Sequence, residues 1–147
     1  MFGSNHENVA LSLNNLGSVL QALGDLNGAK INYERALKID EAAFGPGHPN
    51  VATDVNNLGL VLQASGDLNG AKINLERAIK IWEANLGSEH PQVAFGVNNL
   101  GGVLNDLGDL NGAKKNYERA LKIFKQFLPE GHPNIKMVEN NLKTLEE

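Results

Sequence analysis

Apolar side chains along residues 48–89 recur at helical rather than strand spacing. Val51, Val55, Leu58 and Leu62 lie three or four residues apart with Gly59 among them, and Ala71, Leu75, Ala78, Ile79 and Trp82 repeat the pattern in the next stretch. No alternating run interrupts either stretch, so together they predict a helix pair. Pro49 opens the first helix, and because a residue before proline is driven out of the α region, His48 is expected as its N-cap. Gly66 stops that helix and Asp67 caps the next, which is expected to run to about Asn85 before Leu86-Gly87-Ser88-Glu89-His90 carries the chain onward. The Asn-Gly steps at 27, 69 and 111 would signal hairpins between alternating runs, but here they follow a capping aspartate and open a helical pattern. No strand is expected.

The pair is one member of a series. His6, His48, His90 and His132 fall 42 residues apart, Gly-Asp-Leu-Asn-Gly-Ala-Lys stands unchanged at 24–30, 66–72 and 108–114, and Asn-Asn-Leu recurs at 14–16, 56–58, 98–100 and 140–142. Between 6–47 and 48–89, 29 of 42 positions are identical. The expected architecture is all-α, an α-solenoid of antiparallel helix pairs: a single domain over 1–147, with repeats at 6–47, 48–89 and 90–131 and a capping helix at 132–147. Gly17, Gly59 and Gly101 fall midway along the first helices, where glycine costs about 1 kcal/mol against alanine. Close approach of the paired helix at Ala29, Ala71 and Ala113 is expected to compensate.

The two ends differ in character. Phe2-Gly3 aligns with Phe44-Gly45, so the sequence is expected to begin within a loop that joins two units of a longer array, leaving a flank with Val9, Leu13 and Leu20 partly bare. Weak self-association through that end follows. At the other end Lys136, Glu139, Lys143, Glu146 and Glu147 load the last helix with charge, as a terminal cap requires.

Composition narrows the function. The net charge of -4 is the wrong footprint for general binding to nucleic acid or an acidic membrane surface. No apolar run is long enough to span a bilayer and Met1-Phe2-Gly3-Ser4-Asn5 does not resemble a signal peptide, so the cytoplasm is the expected location. Without cysteine there are no disulfides, catalytic thiols or thiolate metal sites.

Candidate catalytic and metal chemistry reduces to structure. The four histidines come one per unit, separated by helix-packing distances of about 8–10 Å per intervening element, too far apart for shared metal ligation. Capping is their expected role. No Ser-His-Asp set, paired-carboxylate cluster or phosphate-cradling loop is expected, so neither an enzyme nor a cofactor is implied. Lys30-Glu34-Lys38 and its copies at Lys72-Glu76-Lys80 and Lys114-Glu118-Lys122 give i,i+4 pairs on a solvated face. Trp82 and Phe124, which stand where the first unit has Asp40, are expected to pack into the neighbouring unit rather than form an exposed hot spot.

Leu13-x-x-Leu16-Gly17-x-x-Leu20, followed by Gly24, Ala29, Tyr33 and Ala36, resembles the tetratricopeptide signature, and the match recurs in the second and third units. The 42-residue period resembles the longer units of the kinesin light chain class. The resemblance implies that the outward face of the first helices lines a concave groove that holds a peptide or protein segment. On that face lie Asn14 and Asn15 in the first unit, Asn56, Asn57, Leu60 and Gln63 in the second, and Phe95, Asn98, Asn99 and Asn105 in the third. Lys and Arg are absent from the three first helices, which sets aside the clamp that relatives use on acidic chaperone tails. What remains is a ladder of amides, able both to donate to and accept from a ligand backbone, or else to hold neighbouring helices in register. The leading expectation is a non-catalytic interaction scaffold. The alternative is an architectural or sensor array of a larger protein with no tight ligand of its own.

Overall fold

A computed structural model describes residues 4–146, and the aligned Phe2-Gly3 lies outside them. Among the described residues there are seven helices and no strand: α1 (Ser4–Ala22), α2 (Leu26–Phe44), α3 (Pro49–Ser65), α4 (Leu68–Leu86), α5 (Pro91–Asp106), α6 (Leu110–Phe127) and α7 (Pro133–Glu146). They form an all-α repeat fold. The chain divides into two compact units, Met1–Ile81 and Trp82–Glu147, with the division inside α4. In the first, α1 packs on α2 and α2 on α3; in the second, α5 packs on α6 and α6 on α7.

Helix boundaries follow the local chemistry. His48, His90 and His132 each accept, through Nδ1, a backbone N–H two residues on, at 3.0 to 3.1 Å. His6 does not cap in this way, because α1 starts at Ser4 and carries His6 inside its first turn. The physical reason is Glu7, which stands where the other units have proline and leaves the preceding residue free to be helical. Asp25, Asp67 and Asp109 accept from the N–H of Gly28, Gly70 and Gly112 at 2.9 Å, capping α2, α4 and α6. Gly66 closes α3 at φ 92°, a left-handed conformation that a side chain would strain.

The mid-helix glycines admit the partner helix, though chiefly through a different neighbour from the expected alanine. A Cβ at Gly17 would lie 2.6 Å from the Tyr33 ring, one at Gly101 would lie 2.6 Å from Tyr117, and one at Gly59 would lie 2.8 Å from Leu75 Cγ and 3.3 Å from the Ala71 carbonyl oxygen. The glycine hollow is filled by the large residue one turn beyond the alanine. In the first unit Val51, Val55, Val61, Ala71, Leu75 and Ala78 are fully buried; in the second Val93, Val97, Val103, Ile123, Phe124 and Val138 are. Trp82 is buried as well.

Successive second helices are joined by an ion pair that sequence reading did not single out. Arg77 reaches back to Glu41 at 3.2 Å within the first unit and Arg119 to Glu83 at 2.6 Å within the second. Both are part-exposed, so each contributes about 0.2–1 kcal/mol. Of the expected i,i+4 pairs, Lys114–Glu118 closes at 3.9 Å.

One flank of α1 is uncovered. Val9, Leu16 and Val19 are 48%, 48% and 55% exposed, whereas their counterparts one repeat later, Val51, Leu58 and Val61, are 0%, 7% and 0% exposed. Leu13 does not belong to this bare flank, because it turns inward onto Ala10, Ala36 and Ile39.

Candidate functional site

The outward face of the first helices is built by the Asn-Asn-Leu turn, in which the leucine packs inward at Leu58 and Leu100 and the two amides are left beside it. In the first unit Asn15 is exposed, and Asn14, Asn56, Asn57, Leu60 and Gln63 are half-buried. Asn14 donates to Asp54 Oδ1 at 2.6 Å, while Asn56 and Gln63 are also engaged in interactions. Asn15 and Asn57 have no side-chain partner among the described residues, which leaves their amides open to a ligand.

In the second unit the four expected residues fall into different settings. Asn98 is buried and its Oδ1 accepts from Asn141 of α7 at 3.1 Å, so that amide joins two repeats. Asn99 and Asn105 are half-buried, and Asn99 is engaged. Phe95 is exposed on one side and turns its ring edge to Phe124, with centroids 5.0 Å apart and planes at 73°. The ladder is therefore not uniform. Some rungs face outward and at least Asn98 serves a seam.

The expectation that no paired carboxylates exist is overturned in the first unit. Asp40 from α2 and Asp54 from α3 are 3% and 1% exposed, and the two carboxyls lie beside one another. They line a cleft of about 240 Å³ with Asn14, Glu7 and Leu11 of α1 and Asn50 and Thr53 of α3. Burial pushes the Asp54 carboxyl up to about 8, with further upward pushes from the adjoining Asp40 carboxyl and the charge of Glu41; the Asn14 hydrogen bond opposes them. No basic side chain lines the cleft. The pair was missed because each aspartate was read against the 42-residue pattern alone, although the signal was present for Asp40: position 40 is Trp82 and Phe124 in the later units, whereas position 54 is Ser12, Gly96 and Val138 in the others.

Among the described residues no group of three or more His, Cys, Asp or Glu side chains converges in a way that could hold a metal ion. No helix among them is long and apolar enough to cross a membrane.

Comparison with known proteins agrees with this geometry. BtubC (BKLC) from P. vanneervenii is 26% identical, with a TM-score of 0.86 over 95% of this chain and 56% of its own. Nearly identical TPR-like repeats of kinesin light chain type from Podosopora anserina are 23% identical, with a TM-score of 0.84 over 91% of this chain and 64% of theirs. The N-terminal domain of stress-induced protein-1 from C. elegans shares the fold at 19% identity and a TM-score of 0.69, over 97% and 98% of the two chains. The chain thus spans less than two thirds of the length of the first two structures. No curated protein sequence gives a significant match. The profile of the tetratricopeptide repeat matches residues 8–84 and 54–126, overlapping spans that cover most of the chain, and with the repeats of kinesin light chain-like form described above the chain belongs to the tetratricopeptide repeat family.

Proposed function

We propose that this protein is a non-catalytic scaffold that holds an extended peptide segment against the outward face of its first helices. Tetratricopeptide repeats generally mediate protein–protein interaction, and the observation that carries the finer reading is the open pair Asn15 and Asn57. Each amide can donate and accept, which suits an extended backbone whose N–H and C=O groups alternate in direction. The absence of Lys and Arg from α1, α3 and α5 argues against acidic ligands.

The test is selection from a displayed random-peptide library on the full chain, followed by Asn15→Ala with Asn57→Ala. At about 0.5–1.5 kcal/mol per net hydrogen bond, the double variant should bind the recovered peptides roughly tenfold more weakly. Its melting temperature should stay within a degree or two, since neither amide supports a neighbour. An unchanged affinity, or a library that yields no binder, would remove this reading.

The bare flank of α1 supports a second, weaker association. Val9, Leu16 and Val19 form an apolar strip of the kind that is covered in the next repeat, and a second copy can cover it. Sedimentation at rising concentration should show reversible self-association that Leu16→Lys with Val19→Lys abolishes. A wild-type chain that stays monomeric at millimolar concentration would contradict it.

A further inference from the structure

Among the described residues, the buried side-chain atoms without a hydrogen-bond partner are Asn14 Oδ1, Asp40 Oδ1 and Asp54 Oδ2. All three are acceptors, all belong to side chains lining the same cleft, and none has a basic side chain of this chain within the lining. Buried polar atoms normally find partners, so three orphaned acceptors in one place mark a site made for a donor. The cleft opens beside Leu11 and Thr53, on the same outward face as the amide ladder.

The number and kind of atoms select the ligand. A primary ammonium carries one positive charge and three N–H donors with no acceptor, which matches two carboxylates and an amide oxygen. A divalent cation is a poor match, because Ca²⁺ takes six to eight oxygens and Mg²⁺ a near-octahedral set, and among the described residues no three acidic or imidazole side chains are placed to hold a metal ion. We infer that the Asp40–Asp54–Asn14 cleft is a receptor for a primary ammonium group carried by the bound peptide, either a lysine Nζ or the peptide's own N-terminus. The exposed Leu11 at the rim offers apolar surface to the methylene stem of a lysine.

The contrast between repeats supports the assignment. The positions that hold Asp40 and Asp54 hold Trp82 with Gly96, and Phe124 with Val138, in the later units, so the helix-pair architecture is built equally well without a charge there. Burial and the neighbouring carboxylates favour the protonated form of Asp54, so a bound ammonium competes with that proton. Affinity must then rise with pH. The groups that face Asp54 are Asp40 and Glu41 from α2 and, across the cleft, Glu7 from α1; all are acidic and all favour a bound cation. This assignment rests on the peptide-scaffold reading for the identity of the carrier, though not for the ammonium chemistry.

The experiment uses the full chain and two probes. Methylammonium chloride is titrated at pH 6.0 and pH 8.5 while the Asn14 side-chain amide is followed by NMR, with tetramethylammonium, which has no donor, as the control. Saturable shifts of Asn14, at least about tenfold tighter at the higher pH, are expected from displacement of one proton. They should vanish in Asp54→Asn and in Asp40→Asn, both of which keep side-chain volume. Shifts of equal size with tetramethylammonium, no saturable shift, or shifts that survive both substitutions would overturn the inference.

The second probe is the set of peptides selected from the random library. Dependence on a single amine is expected: loss of binding on acetylating one lysine assigns the site to Nζ, and loss on acetylating only the N-terminus assigns it to the α-amine. Recovered peptides that tolerate both acetylations and ignore Asp54→Asn would overturn the inference while leaving the scaffold reading intact. Methylammonium binding without any recovered peptide would support the cleft and remove the scaffold reading instead.

Discussion

Replacing Asp54 by asparagine is expected to stabilise the fold by roughly 2–4 kcal/mol at pH 8.5 and to change it little at pH 4. In the unfolded chain the carboxyl loses its proton near pH 4, whereas in the fold it holds the proton up to about pH 8, because burial and the neighbouring Asp40 disfavour the charged form. The folded state therefore binds the extra proton between those values, and the contribution of Asp54 to stability, full below pH 4, drains away as pH rises to about 8. Asparagine keeps the volume, never ionises, and can donate an N–H to Asp40. The difference between variant and wild type should grow across pH 4–8 and then level off. Thermal unfolding at pH 4.0, 6.0 and 8.5 measures it directly; an equal shift at all three values would mean that Asp54 ionises in the fold as it does in the unfolded chain. A substitution that stabilises the protein while removing its affinity for methylammonium would separate a binding site from a structural hydrogen bond, which would lose stability on the same change.

The fold was legible in the sequence because each helix boundary is written in local chemistry. A proline after a histidine, an aspartate three residues before a glycine N–H, and a glycine at positive φ each act within a few residues, and the 42-residue period multiplies the signal. His6 shows the limit of reading by period: the position repeats, but its cap depended on the proline that Glu7 replaces. The site was less legible for a related reason. Comparing repeats draws attention to what recurs, and the amides recur, yet equivalent amides have unlike surroundings because their neighbours differ. Asn14 meets Asp54 where Asn98 meets Asn141, and Asn57 is left open where its equivalent Asn99 is engaged. The carboxylate pair lies 14 residues apart in the chain, on two helices, and is brought together only by the packing of α2 on α3. A search for departures from the repeat at positions that are apolar in its sisters would have found Asp40, whose equivalents are Trp82 and Phe124, but not Asp54, whose equivalents include Ser12.

The same repeat position gives the second large effect, with the opposite sign. Phe124 occupies in the last repeat the place of Asp40 in the first, is fully buried, and meets the edge of Phe95. Phe124→Ala should cost about 3–5 kcal/mol, combining lost transfer energy with the cavity left where neighbours cannot close in. In a repeat array stability is a sum of unit and nearest-neighbour terms, so the loss should be local. Hydrogen exchange is expected to accelerate in α7, which packs on α6 and ends the chain of contacts in this unit, and in the Phe95 turn of α5, while amides of α1 keep their protection. Urea unfolding with exchange read by mass spectrometry measures both the size and the place of the effect. A cost below about 1 kcal/mol would show that the ring is not needed to fill this position. A loss spread evenly to α1 would show instead that the repeats unfold as one cooperative body.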